Sequence, residues 1–183
     1  GDVTLTVSGA KAGVETTKLV VGKVVEPITA DITVANLRAG IQNQVLGDIV
    51  VKEGFAGALI DKGFLTLDLK DIGGTVKNVK AEVISGDLEI GSKVTTNGTV
   101  ISIEIKNESV AKASEIKISG ATLSLDRTPA QGRYKVAIGG SALVQNAAYN
   151  DGDFADRVIS ADYINVVTPA DTGVKAVFKI GEA

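Results

Sequence analysis

Leu88-Glu89-Ile90-Gly91-Ser92-Lys93-Val94-Thr95-Thr96-Asn97-Gly98-Thr99-Val100-Ile101-Ser102-Ile103-Glu104-Ile105-Lys106 is the stretch that decides the fold class. Asn-Gly is the dipeptide preferred in two-residue hairpin loops, because both central positions of a type I′ turn need positive φ. A turn centred on Asn97-Gly98 sets Thr96 opposite Thr99, Val94 opposite Ile101, Ser92 opposite Ile103 and Ile90 opposite Ile105. One face then carries nearly all the apolar side chains, while Ser102, Glu104 and Lys106 point to water. Alternation at period two marks a half-buried strand. Ile116 and Ile118, then Leu123 and Leu125, alternate in the same way one loop later and read as an extension of the same sheet.

The pattern continues on both sides of this hairpin. Val3, Leu5 and Val7 alternate with Thr4, Thr6 and Ser8, and Ile28, Ala30, Ile32 and Val34 with Thr29, Asp31 and Thr33. Leu65, Leu67 and Leu69 do the same, as do Tyr134, Val136 and Ile138. Val158 to Val167 and the set Val174, Ala176, Phe178 and Ile180 read as two closing strands, whereas residues 36–43 read as a loop. Residues 54–62, with Gly54 and Gly57, are too short and too rich in glycine for a surface helix and predict one short helical turn plugging the end of a sandwich. Many short strands without an amphipathic helix predict an all-β protein, a β-sandwich of jelly-roll or immunoglobulin-like type. No shift of composition and no internal repeat divides residues 1–183, so one domain is expected.

Composition narrows the chemistry. The chain is 44% hydrophobic but only 4% aromatic, so its core is aliphatic, and it has no His, Cys, Met or Trp. A serine triad, a zinc hydrolase and an imidazole acid–base pair all need His, and thiolate chemistry needs Cys. Sugar-cleaving sites pair carboxylates with a cleft normally floored by aromatic rings, which this chain scarcely supplies. The expectation is therefore no enzyme, no catalytic residue and no cofactor. The formal net charge of −3 is spread along the chain, leaving no electrostatic footprint for nucleic acid, and no apolar run is long enough for membrane insertion as a helix. Gly1 is not a translation start, which leads us to expect a processed, extracellular, cell-surface protein. The lack of both Cys and Met leaves few readily oxidised side chains, as suits long exposure. Asp151, Asp153 and Asp156 offer oxygen ligands for calcium, but their spacing does not match the twelve-residue calcium loop and reads as an acidic turn after Asn150. Asn97-Gly98-Thr99 and Asn107-Glu108-Ser109 match the glycosylation acceptor triplet, the first being accounted for as a turn.

The run Ser114-Glu115-Ile116-Lys117-Ile118-Ser119-Gly120, followed by Leu123-Ser124-Leu125-Asp126-Arg127-Thr128 and by Gly139 to Val144, resembles a domain of secreted Gram-positive surface proteins, found beside repeats labelled copper-amine-oxidase N-terminal-like. The resemblance extends from Val45 to Ile180 through Leu46-Gly47-Asp48-Ile49, Gly57-Ala58-Leu59-Ile60 and Leu65 to Leu69. Where those relatives run Val-Pro-Glu-Gly, this chain has Pro129-Ala130-Gln131-Gly132, and copper chemistry does not transfer without His. The opening Val3-Thr4-Leu5-Thr6-Val7-Ser8-Gly9 is similar to the first strand of cohesin-like jelly rolls.

These readings together point to a structural subunit of an extracellular filament or cell-surface layer, its partners being copies of itself. In the expected assembly, residues 1–8 are a donated strand whose Val3, Leu5 and Val7 fill pockets along a neighbour's open sheet edge, with Lys11-Ala12-Gly13 as the hinge. The alternative is a monomeric cohesin-like surface adhesion or binding module for a protein or glycan.

Overall fold

A computed structural model describes residues 1–9, 14–69, 71–143 and 157–167. Within them lie strands β1 (Asp2–Gly9), β2 (Val14–Lys23), β3 (Ile28–Ile32), β4 (Ala35–Arg38), β5 (Gln44–Val45), β6 (Ile49–Glu53), β7 (Phe64–Asp68) and β8 (Thr75–Lys77). They are followed by β9 (Lys80–Ser85), β10 (Glu89–Asn97), β11 (Val100–Asn107), β12 (Glu115–Ser119), β13 (Thr122–Ser124), β14 (Gly132–Gly139) and β15 (Arg157–Val167), with no helix among the described residues. The hinge residues Lys11, Ala12 and Gly13, the candidate calcium ligands Asp151, Asp153 and Asp156, and the expected last strand from Val174 to Ile180 lie outside the described residues.

The protein is a β-sandwich. One layer is a six-stranded sheet in the order β10-β11-β7-β14-β15-β4, and the other holds a four-stranded sheet β3-β6-β12-β9 and a three-stranded sheet β5-β13-β8. The two smaller sheets share one course, because β5 runs on into β6, β8 into β9, and β12 into β13. All three courses break at the same level: Asn78 and Gly120 take left-handed φ values of +59° and +67°, and Gly47 lies so close to the Thr33 carbonyl that a Cβ would clash with it. Short strands with left-handed residues between them bend a sheet without losing its alternation. Every pairing within these sheets is antiparallel except that of β15 with β4. Successive strands pass back and forth between the layers, as in a jelly roll.

The apolar positions marked by alternation form the core. Leu65, Leu67, Ile101, Ile103, Ile105, Ile116 and Ile118 are all buried, and Glu104 and Lys106 are exposed. Four features depart from the sequence reading. The turn of the β10–β11 hairpin is Gly98-Thr99, with Asn97 paired to Val100, Thr96 to Ile101 and Val94 to Ile103. Only Gly98 takes positive φ there, at +60°, which is the type II′ arrangement with Gly first. The carbonyls of Gly98 and Thr99 accept the Val76 and Leu69 N–H groups, so the surroundings choose the turn. Ile90 still faces Ile105, because residues 91–93 bulge out of the ladder and absorb the shift.

β12 leaves the hairpin's sheet and pairs with β6 and β9 in the opposite layer. Residues 54–62 form no helical turn. The Ala58 N–H reaches Phe55 O at 3.3 Å, but Gly57 at φ +78° stops any right-handed continuation. Finally, residues 36–43 are not all loop, since Ala35 and Leu37 are buried in β4 while Asn36 and Arg38 are exposed.

Candidate assembly interface

β1 and β2 form a two-stranded sheet of their own. Leu5 pairs with Leu19, Thr4 with Val20, Thr6 with Lys18 and Val7 with Thr17. Because paired residues share a face, Val3, Leu5, Val7 and Leu19 lie on one side and Thr4, Thr6, Lys18 and Val20 on the other, with Val21 in a bulge between Val20 and Gly22. The base of the hairpin is closed by the Gly1 ammonium donating to Val24 O and the Val24 N–H donating to Gly1 O, both at 2.8 Å. The chain joins the body at Pro27, whose carbonyl accepts the Gly54 N–H at 2.8 Å, and Ile28 is the first buried residue.

The hairpin thus presents an apolar face that no other described strand covers. Leu5 and Leu19 are each 51% exposed, and Val3, Val7, Val20, Val21, Val24 and Val25 are exposed as well. The four side chains that share a face, Val3, Leu5, Val7 and Leu19, at about half exposure sum to on the order of 350 Å², within the size range at which an apolar patch on a monomer is often functional. A lone two-stranded hairpin is also marginal in water. Among the described residues, no further strand pairs with the outer edge of β1. The three residues picked out from sequence, Val3, Leu5 and Val7, are therefore together on one face. They belong to a strand already paired with β2, however, so β1 is not a free single strand. Lys18 to Val25 is a mostly apolar run broken by Gly22, and because Leu19-Val20-Val21 does not alternate, no local pattern shows that it pairs with β1.

A second feature lies in the body. Glu53 is buried and accepts three hydrogen bonds: from Leu59 N–H at 2.9 Å on one carboxylate oxygen, and from Ser109 Oγ at 2.6 Å and Ser114 N–H at 2.7 Å on the other. Asp87 accepts the backbone N–H groups of Val110, Ala111 and Lys112, and those bonds hold its carboxyl below the usual carboxylate range. The Ser114 hydroxyl accepts from the Asp87 and Leu88 N–H groups. Residues 108–114 are pinned from three directions, and Val110, at 80% exposure, stands at the tip of this loop. With both of its oxygens engaged, the Glu53 carboxylate is an anchor for loops. Ser109, the third residue of the second glycosylation triplet, is buried in the same network.

No group of three or more acidic side chains among the described residues is placed to share a metal ion, and no helix there is long and apolar enough to cross a membrane. No family model matches the sequence, and no curated protein matches it. The resemblance to the Gram-positive surface domain thus rests on the strand phrases alone. Among solved structures, the chain is similar to the crystal structure of the seventh ScaB type I cohesin from Pseudobacteroides cellulosolvens, at a TM-score of 0.45 and 14% identity, covering 83% of this chain and 98% of that one.

Proposed function

We propose that this protein is a non-catalytic extracellular building block that works by contact between copies of the same chain, with the β1–β2 hairpin as its contact element. The observation that carries this reading is the exposed apolar face of Val3, Leu5, Val7 and Leu19 on a two-stranded sheet that no third strand joins among the described residues. Burying this face, about 350 Å², supplies a little under half of the roughly 800 Å² that each partner of a stable complex contributes, and main-chain pairing along a strand edge adds to it. A chain without Cys or Met suits long exposure outside the cell.

The full-length protein with Leu5→Asp and Leu19→Asp tests this by sedimentation across a concentration series. The unaltered chain assembles with rising concentration. The double variant stays monomeric, its affinity falling about tenfold for each leucine lost. Its melting temperature is unchanged, because neither side chain belongs to the core. An unaltered chain that remains monomeric throughout ends the self-assembly reading. The second reading, a monomeric adhesion or binding module, then takes its place, and the rigidly held loop presenting Val110 favours it.

A further inference from the structure

The hairpin needs a receptor, and the body has two sheet edges that face one another and that no further strand joins among the described residues. β9 ends the four-stranded sheet and β10 ends the six-stranded sheet. Between them lies a groove of about 550 Å³ whose border mixes apolar Val79, Ala81 and Val94 with polar Lys80, Glu82 and Ser92. Val79 and Ala81 on that border, with Val83 beyond it, recur at period two and pack partly buried against the core, as does Val94 across the groove. On the β10 side, Gly91, Ser92 and Lys93 fall outside the β10–β11 register, leaving a bulge along that border. The layer that ends at β9 is also the narrower one, four strands facing six.

Resting on the proposed self-association, we infer that this groove receives the hairpin of a second copy, with β1 along β9 and Val3, Leu5 and Val7 continuing the row of Val79, Ala81 and Val83. Two apolar rows of the same period meet, the free edge of β9 gains main-chain hydrogen bonds, and the narrower layer widens from four strands to six.

The occupant is a second copy because the molecule's own hairpin cannot reach. Pro27 is tied beside β6 by Gly54, and Val24 is tied into the hairpin by Gly1, so only Val25 and Glu26 are free between them. Three Cα steps span at most about 11 Å. A strand placed beyond β9 is four strand spacings from β3, about 19 Å. Each molecule then gives its hairpin at the β3 side and receives one at the β9 side. Such a contact uses two different surfaces, so unless its rotation closes a ring it propagates as a filament.

The chain has no cysteine, so single introduced ones report contacts cleanly. Full-length Leu5→Cys and full-length Ala81→Cys are prepared separately, mixed, and treated with a short bismaleimide. The expected result is a crosslinked heterodimer in the mixture and little product from either variant alone. Glu82→Cys, exposed on the same strand, replaces Ala81→Cys if the latter does not fold. Crosslinking of Leu5→Cys to itself, with none to β9, would overturn the groove as receptor while leaving self-association through the hairpin intact. A monomer by sedimentation, with no crosslink in any mixture, overturns both.

Discussion

Replacing Glu53 by Ala leaves three donors without their acceptor, on Leu59, Ser109 and Ser114. Each stranded buried donor costs about 1–3 kcal/mol. Water entering the gap recovers part of this, so Glu53→Ala should lower stability by about 3 kcal/mol in urea unfolding. Glu53→Gln should recover only part of the loss, because one of its two terminal groups is a donor facing donors. A loss of under about 0.5 kcal/mol for the Ala variant would mean that the loops hold themselves. From sequence, Glu53 reads only as the polar residue before Gly54. Its partners lie 6, 56 and 61 residues further along the chain, so no local pattern announces it.

At the level of elements, the loop from Glu108 to Ala113 is ordered by a titratable group. The Asp87 carboxyl is held below its ordinary value by three backbone N–H groups. A carboxyl lowered on folding stabilises the native state at pH values above its unfolded pKa, about 3.9. That contribution is complete at neutral pH and is lost as pH falls through the lowered folded value. The amides of Val110, Ala111 and Lys112 should therefore keep their neutral-pH chemical shifts down to about pH 4 and move together below it. Asp87→Asn should remove this coordinated movement. If the three amides titrate at different pH values, or move unchanged in the Asn variant, Asp87 does not hold the loop. The same loop explains why β12 leaves the sheet of β11. Anchored to Glu53 at the end of β6 and to Asp87 between β9 and β10, it delivers the chain to the opposite layer.

Across the whole molecule, stability is expected to be uneven. The core cluster draws on residues from Ile28 to Val166 and, among the described side chains, takes nothing from β1 or β2. In dilute solution the amides of β11 should exchange only through global opening, whereas those of β1 and β2 exchange through local opening of a two-stranded sheet. Raising the protein concentration should slow exchange in the hairpin and along β9 while leaving β11 unchanged. Hairpin amides as slow as those of β11 at the lowest concentration would show that the hairpin needs no partner.

Sequence by itself determined the all-β class, the aliphatic core and the faces of its strands, because burial against one side of a sheet imposes period two on consecutive residues. That is why Ile101, Ile103 and Ile105 read inward and Glu104 outward although the hairpin turn falls one residue later than Asn-Gly suggests. It also marked Val3, Leu5 and Val7 as one apolar row. Only the tertiary structure decided which strands share a sheet. The hydrogen bonds that pair β12 with β6, or β15 in parallel with β4, join residues far apart in the chain and leave no local trace. The same holds for the hairpin. Any strand with that alternation reads as half-buried, and whether its apolar face meets the protein's own core or stays open depends on the neighbours that the fold brings to it.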